Sequence, residues 1–118
     1  MKVMLVEDDF TMRSLLKTLL QLEGFQVVAD FEINPQVILE KMAAEKPDVT
    51  LMDVHLRNAN GIEIVRSIRQ NPELSGLKIL MSSGEDVRDA CAKAGADGFL
   101  LKPYMPDDLI SWIRTHGE

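Results

Sequence analysis

Short apolar runs and longer amphipathic stretches take turns along this chain. The runs lie at 2–6 (KVMLV), 25–30 (FQVVAD), 48–54 (DVTLMDV), 77–83 (LKILMSS) and 97–102 (DGFLLK). Each is too short for a stable helix and reads as a strand. Between them, apolar residues recur at helical spacing. The first such stretch, 9–24, carries Met12, Leu15, Leu16, Leu19, Leu20 and Leu22, with Asp9 or Thr11 placed to cap its start and Gly24 to end it. The second, 34–46, opens on Asn34 and Pro35, an N-cap followed by a proline at the first helical position, and its stripe is Val37, Ile38, Met42 and Ala44. Helices follow at 61–71 (Ile62, Val65, Ile68), 85–95 and 105–117, with a turn through Asn58, Asn60 and Gly61 before the first of these.

Five β–α units with short connections predict a parallel sheet with right-handed crossovers and a helix layer on each face. The near-continuous apolar character of the central runs agrees, because strands covered on both sides have no polar face. One residue violates that pattern. Asp53 sits at the end of VTLMDVHL, where an ionised carboxylate is costly to desolvate.

Composition narrows the classes. At 118 residues the chain has the size of one domain, and 46% apolar residues suffice for a core. The net charge of −6, without a basic cluster, argues against a nucleic-acid or anionic-membrane surface on this domain. No apolar stretch approaches the roughly 20 residues needed to span a bilayer. A lone cysteine, Cys91, and no secretory leader after Met1-Lys2 suggest a reducing, cytoplasmic setting. Cys91 reads as a small buried hydrophobe rather than a reactive thiol.

In an open α/β sheet, ligands bind beyond the carboxyl ends of the strands. Glu7, Asp8 and Asp9 follow the first strand, Asp53 ends the third, Ser82 and Ser83 end the fourth, and Lys102-Pro103 follows the fifth. Asp30 ends the second strand without an obvious polar group around it. Acidic residues after a strand often merely cap the next helix, and a Lys-Pro pair is often merely a turn. Their convergence on one edge is the informative part. Glu7, Asp8 and Asp53 would repel one another without a cation, and an oxygen-only ligand set suits Mg²⁺. With Lys102 and a hydroxyl nearby, the edge fits an anionic phosphoryl group, and a carboxylate can itself accept one as an aspartyl-phosphate.

The set Glu7-Asp8 in LVEDD, Asp53 in LMDVHL, Gly61 eight residues later, Ser82 after ILM, and Lys102-Pro103 resembles a response regulator receiver domain over essentially the whole chain, 1–118. The resemblance implies a flavodoxin-like (βα)5 fold, a five-stranded parallel sheet of order 2-1-3-4-5. It implies Asp53 as phosphoacceptor. Asp8, Glu7 (mainly through water), Asp53 and the main-chain carbonyl of His55 would be the Mg²⁺ site. Ser82 would hydrogen-bond the phosphoryl group and Lys102 would pair with its oxygens. A cis Lys102-Pro103 bond is expected, and Phe99 matches the switch aromatic. The implied donor is a histidine kinase or phosphotransfer protein. The implied readout is the 85–117 face, with Asp86, Asp89, Phe99, Tyr104 and Trp112 as candidates, toward a downstream protein or output domain. Trp112 equally suits the core. The chain ends at Glu118, just past the last helix, so a stand-alone regulator and a receiver cut from a longer protein both fit.

The sequence departs from the receiver pattern at a few positions. Arg57 stands four residues after Asp53, where proline is usual. Phe99 has no hydroxyl, and Ser83 follows the switch serine where a small residue is common. His55 lies on the rim, where phosphoryl lifetime is tuned. Two alternatives are carried: a degenerate receiver acting as a phosphorylation-independent binding module, and an aspartyl phosphohydrolase. The second needs an Asp two residues after the nucleophile, where this chain has His55. A nucleotide-binding domain is disfavoured, since no glycine-rich loop follows the first strand.

Overall fold

The computed structural model describes residues 1–117. The elements run β1 (Lys2–Val6), α1 (Phe10–Leu22), β2 (Gln26–Val28), α2 (Pro35–Glu45), β3 (Val49–Asp53), β4 (His55–Leu56), β5 (Ala59–Asn60), α3 (Gly61–Gln70), β6 (Lys78–Ser83), α4 (Arg88–Ala94), β7 (Gly98–Leu101) and α5 (Pro106–His116). Five strands pair in parallel in the order β2-β1-β3-β6-β7, while β4 and β5 form a separate antiparallel hairpin. Counting sheet strands alone, this is the expected 2-1-3-4-5 order of a flavodoxin-like fold.

The local starts and stops follow from side-chain chemistry. Asp9 caps α1 by accepting the Met12 N–H at 2.9 Å. Asn34 caps α2 by accepting from Gln36 and Val37, with Pro35 at the first position. Gly95 ends α4 at a φ of 112°, a conformation that side chains with a Cβ resist.

The sheet separates two cores. On one face, Leu16 and Leu20 of α1 and Leu109 and Ile113 of α5 pack on Val3, Leu5, Leu51 and Leu80. On the other, Ile38, Met42, Val65, Ile68 and Cys91 from α2, α3 and α4 pack on Met4, Met52, Ile79 and Met81. Each such fully buried side chain contributes about 2 kcal/mol before the entropy of ordering is set against it. Cys91 is buried, and burial pushes its thiol pKa up, as an inert core residue requires. Arg69 knots the far end of α3. Its guanidinium donates to the carbonyls of Gly95, Ser75 and Leu77 and to the Asp97 carboxylate.

Three details differ from the periodicity reading. The α1 stripe is wider than the sheet can cover: Leu16 and Leu20 are buried, but Leu15 is 62% and Leu22 82% exposed. Helix α4 starts at Arg88 rather than at 85. The Ser83 hydroxyl accepts the Glu85 N–H and the Asp86 carboxylate accepts from Arg88, local bonds that compete with helix formation. The turn after β3 is itself the two-residue β4–β5 hairpin.

Candidate functional site

The parallel register brings the polar residues together. Asp53 on β3 is the direct neighbour of Ser82 on β6. The Lys102 N–H continues the next row by donating to the Ser83 carbonyl at 2.8 Å. Glu7 and Asp8 lie just past β1, which flanks β3 on its other side. Asp53 and Ser82 stand two residues past Leu51 and Leu80 on their strands, so they emerge on the same face, the one covered by α1 and α5. The peptide bond between Lys102 and Pro103 is cis.

Charge is concentrated and partly dry. Glu7, Asp53 and Ser82 are all buried, at 7%, 8% and 2% exposure. Glu7, Asp8 and Asp53 each offer a carboxylate oxygen, and these lie within 4.8 Å of one another. The Lys102 Nζ reaches Asp53 Oδ1 at 3.3 Å and Glu7 Oε2 at 3.4 Å. Burial pushes the Glu7 pKa up and Asp53 pushes it further, while Lys102 and the Asp9 N–H offset this in part. Burial would lower the Lys102 pKa, but the Asp53 and Glu7 carboxylates outweigh it and hold it above its ordinary value. One ammonium cannot neutralise three carboxylates. An all-oxygen cluster with surplus negative charge fits a hard divalent cation.

Below the site, Gly61 allows a close approach. A Cβ there would lie 2.3 Å from the Asp53 carbonyl oxygen. The Gly61 N–H donates to the Val54 carbonyl at 2.8 Å, and His55 pairs with Asn60 in the hairpin. Antiparallel pairs alternate between hydrogen-bonded and free, so the His55 carbonyl turns away from β5. Its imidazole sits on the rim, with Nε2 at 3.5 Å from Glu85 Oε1.

These parts, in this order on this fold, match the profile of the response regulator receiver domain over residues 3–114. The chain belongs to the receiver family. Its relatives include the transcriptional regulatory protein CpxR of Escherichia coli K12, 32% identical over 114 residues that cover 97% of this chain and 48% of CpxR. KdpE of the same organism is 33% identical over 113 residues, covering 96% of this chain and 49% of KdpE. The receiver thus spans about half the length of the curated relatives it matches. Among solved structures, the BeF3-activated N-terminal receiver domain of Klebsiella pneumoniae RstA superposes with a TM-score of 0.88 at 26% identity, covering 100% of this chain and 99% of that one. The chemotaxis protein CheY4 of Vibrio cholerae gives 0.86 at 26% identity, covering 98% and 97%. Receiver domains are the phosphorylation-activated switches of two-component systems.

Within this receiver, Phe99 stands apart from the acidic pocket. It lies on β7 beside Met81, on the opposite face of the sheet, with the Arg88 guanidinium 5.6 Å over its ring. Asp9 serves α1 as a cap. Trp112 packs on the α1–α5 core and stacks on His116 at 4.0 Å. Sequence reasoning placed Tyr104 on the readout face and missed its link to the pocket. Burial, with Glu7 and Asp53 adding to it, pushes its phenol pKa up to about 12. Its position two residues past Lys102 was the available signal. No helix among the described residues is long and apolar enough to cross a membrane.

Proposed function

We propose that Asp53 is the phosphoacceptor of this receiver. The observation that carries the reading is the Lys102 ammonium held 3.3 Å from the Asp53 carboxylate at the strand edge that Glu7, Asp8 and Ser82 share. A carboxylate oxygen of Asp53 attacks the phosphorus of a phosphohistidine on a histidine kinase or phosphotransfer protein. The P–N bond breaks, an O–P bond forms, and the donor imidazole leaves. Lys102 and the Ser82 hydroxyl donate to the phosphoryl oxygens as charge shifts onto them. Glu7, Asp8, Asp53 and the His55 carbonyl would hold Mg²⁺, which supplies charge neutralisation for phosphoryl transfer.

The approach is open on the α1 side. Met12, Leu15, Leu16 and Leu19 line a groove of about 420 Å³ that continues to Lys102, Pro103 and Tyr104. An apolar surface that ends at the reactive lysine suits the helical surface of a phosphoryl donor in the cytoplasm. The readout is the 85–117 face. Ser82 shifts toward the new phosphoryl group, and Phe99 on the adjoining strand follows, biasing α4, β7 and α5 toward a downstream protein or output domain.

The test is mass spectrometry after incubation with acetyl phosphate and Mg²⁺. The expected result is a gain of one phosphoryl group in the wild type and none in Asp53→Ala. No gain in the wild type, or an equal gain in the variant, overturns the assignment.

A further inference from the structure

The β4–β5 hairpin carries a donor that the site has not yet used. Arg57 occupies the first corner of its two-residue turn, and its main-chain N–H donates to Asp8 Oδ2 across 49 residues of sequence. A corner N–H lies outside the hairpin ladder, so Asp8 is its acceptor. The usual receiver residue at this position, proline, has no N–H at all. We propose that the Arg57 N–H is a positioning donor for the cation site: it fixes the Asp8 carboxylate toward Glu7 and Asp53.

Asp8 is half-buried on a loop, and a hydrogen bond to an ionised carboxylate is among the stronger kinds. A carboxylate has lone pairs for both an N–H and a metal, so the bond orients without consuming the ligand. Partners that hydrogen-bond a ligating carboxylate hold it in place, and losing one typically lowers metal affinity 10- to 100-fold. The bond also joins the two loops that supply ligands, one after β1 and one after β3. The inference rests on reading the acidic cluster as a Mg²⁺ site.

The turn permits a clean deletion of the donor. Lys46 is the sole non-glycine residue with positive φ among the described residues, so the Arg57 corner lies on the negative-φ side, where proline is a favoured first corner of a turn. Leu56 before it is in a strand, the conformation that precedes proline readily. Arg57→Pro therefore removes the N–H and keeps the turn. Arg57→Ala keeps the N–H and removes an exposed side chain.

Calorimetric titration of the metal-free proteins with Mg²⁺ tests the role. Arg57→Ala is expected to bind within about twofold of the wild type and Arg57→Pro about tenfold more weakly. Equal or tighter binding by Arg57→Pro, or equal losses in both variants, overturns the inference while leaving the Mg²⁺ reading intact. A wild type that binds no Mg²⁺ overturns both. If Arg57→Pro fails to fold by circular dichroism, the amide resonance of residue 57 decides. In the metal-free protein its proton is expected to lie downfield and exchange slowly, and Asp8→Ala should move it upfield and speed exchange. A residue 57 amide that ignores Asp8→Ala refutes the contact.

Discussion

The ammonium of Lys102 stands 3.3 Å from the carboxylate of Asp53, although 49 positions separate them in sequence. The pair exists because β6 lies between β3 and β7, and the ends of all three finish in one row. Lys102→Ala should therefore act on chemistry more than on fold. With the proposed role, removing one preorganised donor to the phosphoryl oxygens lowers the rate of Asp53 phosphorylation about 100-fold. The rate of mass gain with acetyl phosphate measures it. A rate within threefold of the wild type, on the order of experimental scatter, would show that Lys102 is a bystander.

Tyr104 is the single tyrosine, so phenolate absorbance reports it alone. Its midpoint in the folded protein should lie near 12, against about 10 in the unfolded chain. The sign of the stability effect follows. Between those values the folded protein still holds a proton that the unfolded chain has released, so stability falls as pH rises through the window. Tyr104→Phe should flatten that part of the alkaline stability profile. A midpoint at the ordinary value would mean that the ring is wet.

Gly61→Ala should be costly for a backbone reason. The added methyl meets the Asp53 carbonyl at 2.3 Å, and a carbonyl in a paired strand cannot step aside as a side-chain tip can. The expected loss is about 3 kcal/mol in urea denaturation, together with slower phosphorylation of the displaced Asp53. Gly76→Ala is the matched control. Nothing lies within 4 Å of a Cβ there, and its stability should be unchanged.

Thr50 offers the opposite case. It is fully buried in β3, and its Oγ1 has no hydrogen-bond partner. Thr50→Val keeps the branched shape and removes an unpaired hydroxyl, so it should raise stability by about 1 kcal/mol. A loss on urea denaturation would indicate that the hydroxyl is satisfied in solution.

The alternation of strand and helix was readable because it is written in local periodicity, residue by residue. The placement of Glu7, Asp8, Asp53, Ser82 and Lys102 at one edge was readable because a parallel sheet with right-handed crossovers leaves few other arrangements. The exposure of Leu15 and Leu22 was not. Helical spacing marks an apolar stripe but says nothing of how wide a neighbour covers it. The late start of α4 escaped because Ser83 and Asp86 bond the local backbone in competition with a helix that their neighbours favour. The meeting of Arg57 and Glu85 with Asp8 and His55 was also illegible, since it depends on how loops distant in sequence close over one another.

The strand order has a mechanical consequence. Asp53 is mounted on β3, which is hydrogen-bonded on both sides, by β1 and by β6. Phe99 is mounted on β7, the edge strand, bonded on one side alone. Bending β3 would strain two ladders, whereas shifting β7 strains one. With Asp53 as the proposed phosphoacceptor, the domain would be stiff where the charge arrives and compliant where its shape can be felt from outside. On that reading, a push at the centre of the sheet would be spent mainly at its rim.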